Sequence, residues 1–373
     1  MNFAFQLMKG EFLLRREARN LKKKGISIIS FLLICLLVFP PMAGASSVQV
    51  TDVKTTDWAA PSINNMLKNN YMYVDQKGRF WPHRAATRAE VAETIVNALQ
   101  LPLNASLALQ ATDLPVSHPQ YKAIRKLVEL GVMDNRTSIY PDSQVTRAQM
   151  AKMLSLAFHV VVDDKNEAKF SDCGKRHWAT NYIESLADAG IVQGKPYQKY
   201  DPNGNVTRAQ LAAMVSRGLQ FKSQMAKLEM AYDFLGKTYI STFKENETWV
   251  NETITMVNAE RKKKGLPLLV HDPYLDQLAV IKIQDMFEHE YFAHESPYYG
   301  HPWDMATIYE YQFSSFGENI ARYLSSPRDV MRAWMASAPH KENILKSSYT
   351  NIGVAVKKDD NGKYYWIQLF SSK

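Results

Sequence analysis

The sequence predicts a multidomain chain, with an all-α repeat bundle in the first half and a separate α+β domain at the C-terminus. Three observations carry this. A Thr-Arg-Ala-Glu/Gln motif occurs at Thr87, Thr146 and Thr207, at intervals of 59 and 61 residues. From about Trp249 the pattern changes to separate helical faces and then to two strand-like runs around Asp359-Asp360-Asn361-Gly362. The 373 residues are 46% hydrophobic and 22% charged, an ordinary globular composition with length for two or three domains.

Residues 1–45 read as an export signal rather than as part of the fold. Arg15, Arg16, Arg19 and Lys22 to Lys24 form a basic start, and Gly25 to Phe39 is an apolar run. Ala43-Gly44-Ala45 then supplies small residues for cleavage, completing the layout of a secretory signal peptide. The run is shorter than the ~20 residues of a membrane helix, so no stable membrane anchor is expected after cleavage. This segment holds seven basic and two acidic residues, +5 of the formal +8. The remaining chain is then near neutral, with 38 basic and 35 acidic residues, and no nucleic-acid partner is expected. Cys35 lies inside the apolar run, which leaves Cys173 alone after cleavage, so an internal disulfide is excluded.

The first half is read as repeats at 46–105, 106–165 and 166–221. Each motif follows an aromatic turn, Phe80-Trp81-Pro82, Tyr140-Pro141-Asp142 or Tyr200-Asp201-Pro202, and precedes an apolar helical pattern. About 35 residues upstream of each lies an Asp, namely Asp52, Asp113 and Asp172. Six residues after these come Trp58, Pro119 and Trp178, each opening a further helix. Thr followed three residues later by Glu or Gln is a capping box, in which two side chains satisfy free helix amides. That explains the Thr and the Glu or Gln but not the Arg. A cation in a first helical turn opposes the helix dipole by a few tenths of a kcal/mol. Arg88, Arg147 and Arg208 therefore read as having another task, such as holding a carboxylate or phosphate beside the free amides.

These units resemble surface-layer homology (SLH) domains. The likeness rests on the Phe170-Ser171-Asp172-type starts, Trp58 and Trp178, the turns Gly131-Val132 and Gly190-Ile191, and the three motifs. It implies an exported protein of a Gram-positive-type bacterium, held at the cell wall or S-layer. The implied partner is secondary cell-wall polysaccharide, pyruvylated, gripped by Arg88, Arg147 and Arg208 with Trp58 and Trp178. The second repeat departs from the pattern with Pro119 in place of Trp, and the first with Tyr71 in place of the turn Gly.

Residues 222–245 read as a mostly helical linker, and 246–373 as the α+β domain. Within the latter, a helix running from Trp249 is stopped by Gly265 and Pro267, and Asp272-Pro273 opens a second with Leu275, Ala279, Ile283 and Phe287 on one face. Ser326-Pro327-Arg328-Asp329 opens a third, with Ser as cap and Pro at the first helical position. Thr350 to Lys357 and Lys363 to Phe370 are the two strands of a hairpin.

His289-Glu290 followed by His294 suggests a zinc-protease helix, but that motif needs two His four residues apart. Five residues place them about 140° apart around a helix, which excludes one shared metal. The surviving constellation is His294, Glu318 and His340. Two imidazoles and a carboxylate can ligate a divalent metal such as zinc, with His294 and His340 as the nitrogen donors. They can equally serve as general base and acid. A loop Glu that is only a cap, and His residues that only pack, remain open.

The order NAERKKKGLPLL, AHESPYYG, GENIA, AWMASAPHKENIL, IGVAV and YYWIQLF resembles a bacterial member of the CAP superfamily (SCP or cysteine-rich secretory type). The resemblance covers nearly all of 249–373 and implies an α-β-α sandwich with a central cleft, His294, Glu318 and His340 being three of its four cleft residues. The fourth, a Glu in many eukaryotic members, falls on Ser337 here. Asn343 and Gln368 either line the cleft or make packing hydrogen bonds. The implied protein displays on the wall a site that binds a ligand or divalent metal. The alternative is an anchored metal-dependent hydrolase of envelope polymer or peptide.

Overall fold

The computed structural model describes residues 50–165, 167–244 and 246–373, so the export signal lies outside the described residues. The chain forms two compact units. The first runs through Val162 and adds Phe170–Tyr182 and Lys195–Ser216. The second comprises Asp163–Lys169, Ile183–Gly194 and Arg217–Lys373.

In the repeat region the helices are α1 (Ala60–Lys68), α2 (Arg88–Ala98), α3 (Tyr121–Glu129), α4 (Arg147–Ala157), α5 (Thr180–Asp188) and α6 (Arg208–Ala226). The motif helices α2, α4 and α6 start at the motif Arg because the preceding Thr caps them. Thr87 Oγ1 accepts from the Glu90 amide while Glu90 accepts from the Thr87 amide. The Thr146/Gln149 and Thr207/Gln210 pairs repeat this reciprocal bonding. Besides helices, the described residues of this unit hold isolated bridges between repeats, Thr87 to Gln144, Thr146 to Asn205 and Ala85 to Thr207. The turn ending α1 corrects the expected alignment at Tyr71. The residue equivalent to Gly131 and Gly190, at φ +71° and +69°, is Asn70 at +57°. Tyr71 matches Val132 instead, each donating its amide back to the helix, to Met66 and Leu127. Asn tolerates this left-handed backbone better than other non-glycine residues.

The second unit opens with a difference from expectation. The linker helix ends at Ala226, and the chain then forms a hairpin of β1 (Met230–Asp233) and β2 (Thr238–Ser241). Ala231 is buried in the unit's core with Ile240 packed against it, so hydrophobic burial overrides helix propensity here. There follow α7 (Glu247–Lys263), β3 (Val270–His271), α8 (Pro273–Glu288), α9 (Pro302–Ile308), β4 (Ser315–Arg322), α10 (Pro327–Ala336), α11 (Ala338–Leu345), β5 (Asn351–Lys358) and β6 (Tyr364–Ser372). The sheet order is β3-β5-β6-β4, antiparallel except for the β3–β5 pair.

Alternation along the strands builds two cores. Ala355, Ile367 and Leu369 pack with Leu275, Ala279 and Ile283 of α8. Ile352, Val354, Val356, Trp366 and Phe370 pack with Val250, Ile254 and Val257 of α7 and Trp334 of α10. The sheet is thus covered by helices on both faces, a helix–sheet–helix sandwich. At Gly353 a Cβ would lie 2.3 Å from Leu275 Cβ, so only glycine lets α8 approach β5 this closely. Strand β4 is an edge of the sheet, and the candidate site is built around it.

Candidate functional site

Glu318 lies within β4, where the sequence suggested a loop. Its pairing with Leu369 puts its side chain on the α8 face, while Asn319, paired with Gln368, points to the other. Before it, Gly317 leaves space that a Cβ would fill at 2.2 Å from the Tyr349 hydroxyl, which donates to Phe316 O. His294 follows α8, in a bend. His340 lies in the first turn of α11, and Ser337 is the break between α10 and α11. The three side chains thus come from a strand, a bend and a helix set around one sheet edge.

His294 Nδ1 and Glu318 Oε1 are 2.7 Å apart. The Glu318 carboxylate is buried, and its Oε2 has no partner among the described residues. Burial raises the proton affinity of Glu318, opposed by the hydrogen bond from His294 and the nearby positive charge of Lys282. Burial lowers that of His340, helped by the charge of His294, so His340 favours its neutral form. Lys282 is itself buried in α8 and donates to the Tyr291 hydroxyl at 2.7 Å. Tyr291 in turn donates to Asp285 Oδ2, and His289 Nδ1 contacts Asp285 Oδ1 at 2.9 Å. His289 and His294 therefore have different carboxylate partners, in keeping with the exclusion of a protease-type helix. An apolar-face Lys was the only sequence signal for this network.

Asn343 and Gln368 are hydrogen-bonded within the scaffold. Asn319 Nδ2 donates to Gln368 Oε1 and to the His340 carbonyl, at 3.1 and 3.0 Å. Asn343 Nδ2 donates to Asn319 Oδ1 at 2.9 Å and to the Glu318 carbonyl at 3.1 Å. This amide ladder ties α11, and so His340, to β4 and β6. The fully buried Asn319 stands next to Glu318 in the GENIA block, and that adjacency is the signal the sequence holds for it. Among the described residues no three His, Cys, Asp or Glu side chains are arranged to hold a metal ion.

In the repeat unit each upstream Asp clamps its own aromatic turn. Asp52 accepts from the amides of Phe80 and Trp81, Asp113 from Ile139 and Tyr140, and Asp172 from Tyr200 and Asp201. These turns place Trp81, Tyr140 and Asp201 at positive φ, which the paired amide bonds hold in place. Each motif Arg then reaches the next repeat's turn in cyclic order. Nε of Arg88 donates to Ile139 O, Arg147 to Tyr200 O and Arg208 to Phe80 O, at 2.7, 2.6 and 2.7 Å. The task that the sequence assigned to a ligand is therefore at least partly structural. Arg147 is 3% exposed and lies 4.3 Å from the Tyr200 ring centre. Arg208 also bonds Glu90 and the Tyr73 carbonyl. Arg88 instead faces an open pocket of 680 Å³ that Trp178 also lines. Trp58 and Trp178 are exposed.

This architecture defines a chain of repeat units joined to a helix–sheet–helix domain. Family models match at the same places, S-layer homology domains at 51–92, 112–151 and 169–212 and the cysteine-rich secretory protein (CAP) family at 254–370. The chain therefore carries three SLH domains and a C-terminal CAP domain. Over 122 residues it is 39% identical to the uncharacterized protein YkwD of Bacillus subtilis, covering 33% of this chain and 46% of that one. Over 227 residues it is 26% identical to the surface-layer 125 kDa protein of Lysinibacillus sphaericus, covering 59% and 19%. The chain thus spans less than half the length of either relative. An extracellular SCP-domain protein of Bacillus anthracis, solved by crystallography, is similar at 23% identity and a TM-score of 0.32, over 41% of this chain and 50% of that one. Among the described residues no helix is long and apolar enough to cross a membrane.

Proposed function

We propose that this is an exported protein held to secondary cell-wall polysaccharide by its SLH domains, displaying a CAP domain whose His294–Glu318–His340 site binds a ligand or divalent metal. The triplicated units and their likeness to surface-layer proteins support the anchor and a location in the wall or S-layer. The observation that carries the site is Glu318 Oε2, a buried carboxylate oxygen without a partner beside an accessible imidazole. Such an atom is costly to leave unpaired, and an ordered water, a bound donor or a cation would satisfy it.

An imidazole-preferring ion such as zinc would have His294 Nε2 and His340 as its nitrogen donors and would need its remaining positions filled by water or a bound ligand, because among the described residues no third side chain is arranged to ligate it. Glu318 would then serve from behind, fixing the His294 ring through Nδ1. When bound, the ion would supply Lewis acidity. The protein's own contribution is to keep His340 neutral, orient His294 and exclude water from Glu318. Asn343 and Gln368 act as positioning residues through the amide ladder. The raised proton affinity of Glu318 favours a second reading, a metal-dependent hydrolase of envelope polymer or peptide in which Glu318 and a His handle protons.

The test titrates the full chain and His340→Ala with zinc by calorimetry, then incubates each with purified wall sacculi and follows released fragments. Zinc binding without release, lost in the variant, is the expected result. Binding with release would establish the hydrolase. The absence of both would contradict a functional site.

A further inference from the structure

Strand β4 ends on an arrangement that a regular strand cannot make. Successive side chains of a strand point to opposite faces. Arg322, four residues after Glu318, therefore shares the α8 face with it, and a continued strand would send Tyr323 to the other. Tyr323 instead has φ +68°, with its amide donating to the Tyr364 carbonyl at 2.6 Å. A bulky residue rarely keeps this left-handed backbone, and such outliers persist where the surrounding structure imposes them. Tyr323 comes round to its neighbour, its ring centre 4.9 Å from Arg322 Cζ.

Three rings make a bed for that guanidinium. Phe292 lies with its ring centre 4.6 Å from Arg322 Cζ. Tyr365, the sheet partner of Arg322, meets the rings of Phe292 and Tyr323 close to edge-on, at 5.8 Å from each. Arg322 and Tyr323 are nonetheless exposed. The charge of Arg322 is met by rings rather than by a carboxylate among the described residues. Stacking fixes the plane of a guanidinium and leaves its N–H edge to solvent, the geometry for a bidentate bond to a planar anion. Phe292 precedes His294 by two residues and packs on the core that contains Ile320, so the 292–294 segment connects this bed to the His294–Glu318 pair.

We infer that Arg322 is a second contact point of the cleft, taking a carboxylate of an extended peptide whose amine or amide end meets Glu318. The two ends ask for opposite groups. Glu318 Oε2 is a buried acceptor without a partner among the described residues, and Arg322 is an exposed donor fork. A peptide carries N–H donors and carboxylates on one chain. Four residues of β4 measure roughly 13 Å, so a ligand with the same extended repeat spans both places with three or four residues. This rests on reading His294, Glu318 and His340 as a ligand site and names the class of ligand.

The test is calorimetry of the full chain with tetraglutamate, tetraglutamine and tetragalacturonate, with zinc titrated separately. Tetraglutamate should bind at least about tenfold more tightly than tetraglutamine, and Arg322→Gln should lower it to the level of tetraglutamine. Tyr323→Gly suits the positive φ, so it should fold, and by removing one ring it should also weaken tetraglutamate. Equal binding of the two peptides by the wild-type chain, or a preference that survives Arg322→Gln, overturns the inference. Tetragalacturonate bound in preference to both peptides overturns the peptide in favour of an acidic glycan. Zinc binding without binding of any of the three probes overturns the inference while the site reading stands. Failure to bind zinc or any probe overturns both.

Discussion

His294 Nδ1 lies 2.7 Å from Glu318 Oε1, while the second oxygen of that buried carboxylate has no partner among the described residues. A carboxylate half satisfied by one imidazole leaves an acceptor for something bound. Glu318→Gln keeps an acceptor for His294 and removes the charge. Its folding stability should differ from wild type by less than about 1.5 kcal/mol in urea denaturation. Zinc affinity should fall by about 10- to 100-fold in calorimetry. Unchanged zinc affinity would remove Glu318 from the site.

The two shifted groups give opposite pH dependences. Glu318 holds its proton more tightly in the fold than at the ordinary 4.5, so its stabilising contribution is present below 4.5 and lost as pH rises through the folded value. His340 is depressed below the ordinary 6.5, so its contribution is present above 6.5 and lost as pH falls through the folded value. Urea midpoints measured across pH should therefore lose part of their decline above pH 4.5 in Glu318→Gln and part of their decline below pH 6.5 in His340→Gln. NMR titration should place the His340 imidazole below 6.5. A value above it would contradict the burial argument.

The cyclic arginine braces make a separate claim about stability. Arg147→Ala leaves the Tyr200 carbonyl without its donor and removes the cation over the ring. We expect a loss of about 2–4 kcal/mol in chemical denaturation of the repeat transition. A cost under 0.5 kcal/mol, the usual size for surface changes, would return Arg147 to a ligand role.

The hairpin that replaces the expected linker helix also reaches the site. Asp233 of β1 accepts from the Tyr299 hydroxyl, and the Tyr299 amide donates to Ser296 Oγ at 3.0 Å, two residues after His294. Asp233→Ala should cost about 1–3 kcal/mol and speed hydrogen exchange of the amides of 296–300. Exchange unchanged in that loop would mean that the hairpin does not support it.

Much of this was legible because it is local. Thr87 with Glu90, Asp272 before Pro273, and Ser326 before Pro327 announced helix starts that the structure places at Arg88, Pro273 and Pro327. The Asp-Asn-Gly turn, with Gly362 at φ +75°, joined β5 to β6 as read. What stayed hidden depends on contacts distant in sequence. Glu318 looked like a loop residue because Gly, Glu and Asn are poor strand formers, and pairing with β6 decides the matter. The arginine braces depend on carbonyls 51, 53 and 128 residues away. The linker hairpin forms because the core offers Ala231 and Ile240 a place, which no local propensity encodes.

The measurement closest to the central claim is co-sedimentation of the full chain with purified wall sacculi, before and after chemical removal of their polysaccharide. The account predicts that the chain pellets with intact sacculi and stays in solution with stripped ones. Equal pelleting with both, or with neither, would contradict anchoring through wall polysaccharide.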